Sequence, residues 1–280
     1  MVNYGDDSLE NPDDITLPFF AYGIFKPGEI AYSNIKKYIG KKNEKTINYA
    51  MKQRDGVPIL LPEENNGKTH GYIFKFNDNE RAYDTINHNL SNKLYEWGTI
   101  EQGKINVLFG KDPDIGSDDI GPDFDRENYK GKDDPFFKEA LAIKQYVESN
   151  DFTSKDDFYD LQRYYILLWS AIERCCKLKY NKESDGKNRE EFSKEKEFID
   201  ALDKCDETNY REIYKTDDLT PRKFDTDEPK WCINYYYTLR CNIVHRGKSN
   251  VNRDMGLLLQ ATKDLLNIFE HILDETFKEE

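Results

Sequence analysis

The chain has 280 residues and a formal net charge of −13, from 41 Lys and Arg against 54 Asp and Glu. That balance excludes a globally basic nucleic-acid coat but leaves room for a local basic site on an acidic body. Apolar residues make up 37 % and aromatic residues 14 %, enough large side chains for a packed core, which excludes a disordered chain.

The opening stretch MVNYGDDSLENPDD is acidic and lacks the apolar centre of a signal peptide. Residues 14–110 then carry short apolar runs separated by turn signals. The runs 17-LPFFAYG-23 and 57-VPILL-61 are buried-strand types, 69-THGYIFKF-76 alternates with a period of two, and 104-KINVLF-109 closes the segment. Pro27-Gly28, Asp55-Gly56 and Asn66-Gly67 stand between them as breakers. A mainly β, α+β domain is predicted here.

The stretch 111-KDPDIGSDDIGPDFDRENYKGKDDP-135 is dominated by Asp, Gly and Pro and reads as an exposed acidic linker. From 136 onward the period becomes helical, predicting an all-α bundle over 136–280. A helix is predicted over 136–149, with Asp134-Pro135 as its start. Phe158, Leu161, Tyr165, Leu168, Ile172 and Cys176 form a core stripe on the next helix. A charged helix covers about 188–203, another runs from Pro229 to Gly247, and the last spans about 253–278.

The longest mostly apolar run, Tyr164 to Ile172, falls far short of the roughly 18–20 residues of a membrane span. The cysteines, Cys175, Cys176, Cys205, Cys232 and Cys241, are odd in number and fit reduced thiols. A cytoplasmic protein without membrane contact is therefore predicted. No C-x-x-C or Cys/His pair has zinc-ligand spacing, and the linker lacks the D-x-D-x-D-G calcium pattern, so no metal is predicted.

The sharpest chemical signal is 239-LRCNIVHRG-247, with Arg240, Asn242 and His245. Between Lys230 and Arg253 stand five basic residues and no carboxylate, a local positive patch suited to phosphates. Arg246, Lys248 and Arg253 are the candidate RNA-binding residues. Histidine exchanges protons near neutrality and arginine presents a planar donor fork to a phosphoryl group. Five residues correspond to about 140° around an ideal helix. Arg240 and His245 therefore do not share a face of a straight helix, and they converge if the helix ends at Gly247 or if a second copy of the helix completes the cleft. The plainer reading is a surface helix whose final turn places cations near its negative end.

The hexamer Arg240 to His245 near the end of a bundle helix, together with 168-LWSAIE-173 upstream, resembles the HEPN superfamily over about residues 136–280. The resemblance implies a metal-independent endoribonuclease without cofactor, acting on single-stranded RNA as a homodimer with the two motifs facing each other. Toxins and defence effectors are roles of that kind. Arg240 would steady the phosphate, His245 would handle the proton of the 2′-hydroxyl or leaving oxygen, and Asn242 and Glu173 would orient them. The residue after the arginine is commonly Asn, Asp or His in that superfamily, and here it is Cys241. Members that only bind RNA or protein supply the alternative reading.

The segment 19-FFAYGIFKPGE-29, followed by 56-GVPILL-61, 70-HGYIFKF-76 and 82-AYDTINHNLSNKLYEW-97, resembles the gamma-glutamylcyclotransferase-like family over roughly 16–110. This implies a small mixed β-barrel in front of the bundle. Tyr22, Gly23, Ile24, Phe25, Asn87 and Tyr95 are then candidates to bind a small-molecule or protein ligand. Asn87 stands where the family's catalytic Glu is expected, and an amide has no proton to exchange near neutrality. A degenerate sensing or scaffold domain is expected, with an active cyclotransferase as the further alternative.

Overall fold

The structure, a computed structural model, describes residues 8–54, 57–113, 117–119, 131–182, 184–215, 219–246 and 251–278. It is a mixed α+β chain that divides into two compact units. Unit 1 comprises Met1–Asp134 with Leu178–Glu183 and Thr276–Glu280, and unit 2 comprises Pro135–Lys177 and Ser184–Glu275.

Unit 1 contains β1 (Phe19–Ala21), α1 (Tyr32–Ile35), β2 (Ile39–Arg54), β3 (Val57–Phe76), α2 (Asn79–His88), β4 (Tyr95–Ile100), β5 (Ile105–Gly110) and β6 (Ser117–Asp119). The six strands form one sheet in the order β4-β5-β1-β3-β2-β6, parallel at β1–β5 and antiparallel elsewhere. Its two ends are β4 and β6, and no pairing among the described residues closes it into a barrel. The runs 57–61 and 69–76, predicted as separate strands, belong to the single strand β3. Asn66-Gly67 does not break it. Between the pairs Ile47↔Thr69 and Tyr49↔Glu64 the register advances further on β3 than on β2, so the excess is taken up as a bulge. The other breaker, Asp55-Gly56, and most of the predicted linker lie outside the described residues, but Ser117–Asp119 within that linker pairs with β2. α2 starts where the Asp78 side chain accepts the Arg81 N–H, and it buries Ala82, Tyr83 and Ile86. Phe19, Tyr83 and Trp97 meet edge to face in the core beneath.

Unit 2 is mainly helical, with α3 (Pro135–Ser149), α4 (Lys155–Lys179, its end in unit 1), α5 (Asp185–Phe192), α6 (Lys196–Leu202), α7 (Pro229–Arg246) and α8 (Val251–Thr276). The strands β7 (Ile213–Tyr214) and β8 (Pro221–Arg222) form a small antiparallel pair. The helix predicted over 188–203 is two helices. It breaks at 193–195, where the Ser193 hydroxyl bonds back to the Glu190 carbonyl and Glu195 turns extended. The predicted stripe of α4 is buried throughout, from Phe158 to Cys176. Tyr235 and Tyr236 of α7 are core residues: the Tyr235 hydroxyl donates to the Arg211 carbonyl, and the Tyr236 carbonyl accepts from the Tyr165 hydroxyl. No helix among the described residues is long and apolar enough to cross a membrane.

Candidate functional site

In unit 2, two rungs join α4 to α7. The buried Trp169 ring meets Tyr237 edge to face at 5.5 Å. One turn further along both helices, Glu173 Oε2 lies 3.9 Å from Arg240 Nη2, with the two side chains 31 % and 25 % exposed. A third helix, α5, brings Arg189 over the Tyr237 ring at 3.5 Å, while the Arg240 guanidinium lies 5.7 Å from the same centroid. Two guanidiniums therefore flank one aromatic ring beside one carboxylate. Arg240 Nε and Arg189 Nε and Nη1 are buried without a hydrogen-bond partner among the described residues. Buried donors left unpaired cost about 1–3 kcal/mol each.

Burial pushes the Glu173 carboxyl above its ordinary value of 4.5, Arg240 pulls it down, Asp185 adds to the rise and Arg189 opposes it. The folded state thus holds this proton more tightly than the unfolded state. Glu173 lowers stability above the raised value, and the effect vanishes as pH falls toward 4.5. The stability of the wild type relative to Glu173→Gln is expected to rise as denaturation is repeated from neutral pH down to that range. The opposite trend would mean that pairing with Arg240 outweighs burial.

α7 runs unbroken through Arg246, so the separation of Arg240 and His245 stands. Burial nevertheless gives it a different meaning. Cys232, Ile233, Tyr235, Tyr236, Leu239, Asn242 and Ile243 are buried, whereas Tyr237, Arg240 and Cys241 are half-buried and Val244 and His245 are exposed. Counted around the helix from Arg240, Val244, Tyr237, Cys241 and His245 fall at about 40°, 60°, 100° and 140°. Arg240 and His245 are the margins of one strip that passes from half-buried at Arg240, Tyr237 and Cys241 to exposed at Val244 and His245.

Asn242 does not reach that strip. It is 1 % exposed, and its amide donates to the Tyr214 carbonyl at 3.0 Å, tying β7 to α7. Arg253 is 61 % exposed, with its Nε 3.9 Å from Asp254. Gly247, Lys248 and the Arg246 side chain lie outside the described residues. Arg189 was missed by sequence reasoning, since it sits on a short charged helix with no motif around it.

In unit 1 the candidate ligand-binding residues are engaged internally. The Tyr22 hydroxyl donates to the Leu108 carbonyl at 2.9 Å and accepts the Leu60 N–H at 3.1 Å. Burial holds this hydroxyl protonated far above its usual range, with neighbouring Tyr95, itself buried, adding to the rise. Gly23, Ile24 and Phe25 form a buried 3-10 turn, and the Phe25 amide donates to the Tyr22 carbonyl. Gly23 has φ +53°, and a Cβ there would stand 2.2 Å from Pro58 Cγ, so the proline fills the place expected for a ligand. Asn87 donates to Asn11 Oδ1 at 2.7 Å and accepts the Trp97 indole N–H at 2.8 Å. His88 is exposed and bonds through Nδ1 to the Asp84 carbonyl.

Among the described residues no group of three or more His, Cys, Asp and Glu is placed to hold a metal ion. Comparison of the chain with protein-family models, curated proteins and solved structures finds no match.

Proposed function

We propose that unit 2 is a HEPN-type, metal-independent endoribonuclease acting on single-stranded RNA as a homodimer. The observation that carries this reading is the partly exposed strip of α7, bounded by half-buried Arg240 at one margin and exposed His245 at the other. Arg240 and a second guanidinium, Arg189, lie on the same Tyr237 ring, a pairing suited to a phosphate. His245, in solvent, is accessible to the 2′-hydroxyl or the leaving oxygen of a bound strand. Glu173 positions Arg240. The buried Asn242 serves the hairpin instead of the reacting groups, which gives the RNA-binding, non-cleaving alternative its one specific support.

Unit 1 is proposed to be a scaffold related to the cyclotransferase-like barrel. The internal bonding of Tyr22 and Asn87 and the packing of Pro58 against Gly23 support a scaffold over a sensor. A toxin or defence effector in the cytoplasm is the matching biological role.

The test combines cleavage with subunit mixing. The wild type is expected to cleave single-stranded RNA in EDTA and to sediment as a dimer. Arg240→Ala and His245→Ala, inactive apart, are expected to regain cleavage after being mixed and allowed to exchange subunits. A dimer whose mixed variants stay inactive would place each site within one chain, and a wild type that cleaves nothing would end the ribonuclease reading.

A further inference from the structure

α7 carries a second basic feature, near its start. Trp231 is 54 % exposed and forms one wall of a surface groove of about 320 Å³, whose other walls include Arg222, Lys223, Lys230, Asn234 and Glu212. Arg222 and Lys223 take part in no ion pair among the described residues, and Lys230 is shared with Glu190 at 2.8 Å. Among the described residues one carboxylate, Glu212, lies in the lining, and it already accepts the Tyr214 hydroxyl at 2.6 Å. Three cations thus line a groove beside a half-exposed indole, on a chain whose net charge is −13.

The groove is built, not incidental. Arg222 lies in β8, paired with Ile213 of β7, and the Asn242 amide fixes β7 to α7 through the Tyr214 carbonyl. The helix also relates the groove to the site. Trp231 and His245 are fourteen residues apart, about 40° around α7 and about 21 Å along it. Thr238, halfway along that line, is only 4 % exposed, so the covered middle of α7 separates the two.

We infer that the groove beside Trp231 binds single-stranded RNA, with a base stacked on the indole and phosphates held by Arg222, Lys223 and Lys230, as a binding site apart from His245. The inference rests on the ribonuclease reading for the choice of RNA as the strand. The chemistry selects the ligand. An acidic peptide would satisfy the cations and leave the indole face bare, and a duplex offers no unpaired base to stack.

The test uses the full-length protein and a labelled 2′-O-methyl oligonucleotide, which lacks the nucleophile, with binding followed by anisotropy. Trp231→Ala is expected to weaken binding roughly 5- to 150-fold, while Trp231→Phe keeps most of the affinity. Arg222→Gln with Lys223→Gln is expected to lower the salt dependence, by about 0.7 in log–log slope for each phosphate no longer neutralised. Trp231 is exposed, so circular dichroism of the variant should match the wild type. Unchanged affinity in Trp231→Ala, no binding by the wild type, or equal binding of polyglutamate would each overturn the groove. Cleavage of ordinary RNA in EDTA separates the two claims. Trp231-dependent binding without cleavage keeps the groove and ends the ribonuclease reading, whereas cleavage with Trp231-independent binding does the reverse.

Discussion

Replacing His245 with Ala is expected to slow RNA cleavage by about 10²–10⁴-fold, the range lost when a general acid or base is removed. The fold should not change, because His245 is exposed at the end of α7 and packs into no core. Arg240→Ala is expected to fail comparably, and Arg240→Lys to rescue little, since an ammonium lacks the planar fork that spans two phosphoryl oxygens. Loss of the Arg240–Glu173 pair costs the fold little. At 3.9 Å and partly exposed, such a pair contributes about 0–1 kcal/mol. Initial rates on end-labelled RNA in EDTA, with circular dichroism beside them, check both variants. Rates equal to the wild type in either would remove that residue from the chemistry.

Gly23→Ala should produce the largest loss of stability in unit 1, together about 2–5 kcal/mol from the left-handed backbone and the overlap with Pro58. The φ of +53° is one part of this, and the 2.2 Å approach of the added Cβ to Pro58 Cγ is the other. Tyr22→Phe should lose about 1–3 kcal/mol, because the buried Leu60 N–H and Leu108 carbonyl lose their shared partner. Wild-type protein incubated with γ-glutamyl dipeptides should release no 5-oxoproline, in keeping with an amide at position 87 whose two polar ends are already bonded to Asn11 and Trp97. Chemical denaturation of the full chain measures the first two effects. A Gly23→Ala protein as stable as the wild type, or turnover that Tyr22→Phe abolishes, would show that this turn is open to a ligand.

Legibility in the sequence followed the physical signals available. Pro135 and Pro229 open α3 and α7 because proline fits the first helical turn, and both starts could be read directly. The stripe of α4 was legible because its buried residues recur at three and four. β2 was not, because most of its side chains are exposed or half-buried and charged residues hide any alternation. α2 carried a readable signal, Asp78 ahead of Ala82, Tyr83 and Ile86, that none of the predicted elements used. Arg240, His245 and Glu173 stood out by residue type and spacing. What surrounds them did not, since Arg189 reaches Tyr237 only through packing between helices distant in sequence. The inward turn of Asn242 likewise depends on a hairpin that no local pattern announces.

The chemistry at the new RNA end is the most direct measure of the central claim, because attack by the 2′-hydroxyl leaves a mark that metal-activated water does not. RNA labelled at its 5′ end, incubated with the full-length protein in EDTA, is predicted to yield 5′ fragments ending in a 2′,3′-cyclic phosphate, about 10²–10⁴-fold more slowly with His245→Ala. Cleavage that needs magnesium, leaves a 3′-hydroxyl, or persists undiminished in both His245→Ala and Arg240→Ala would contradict the account.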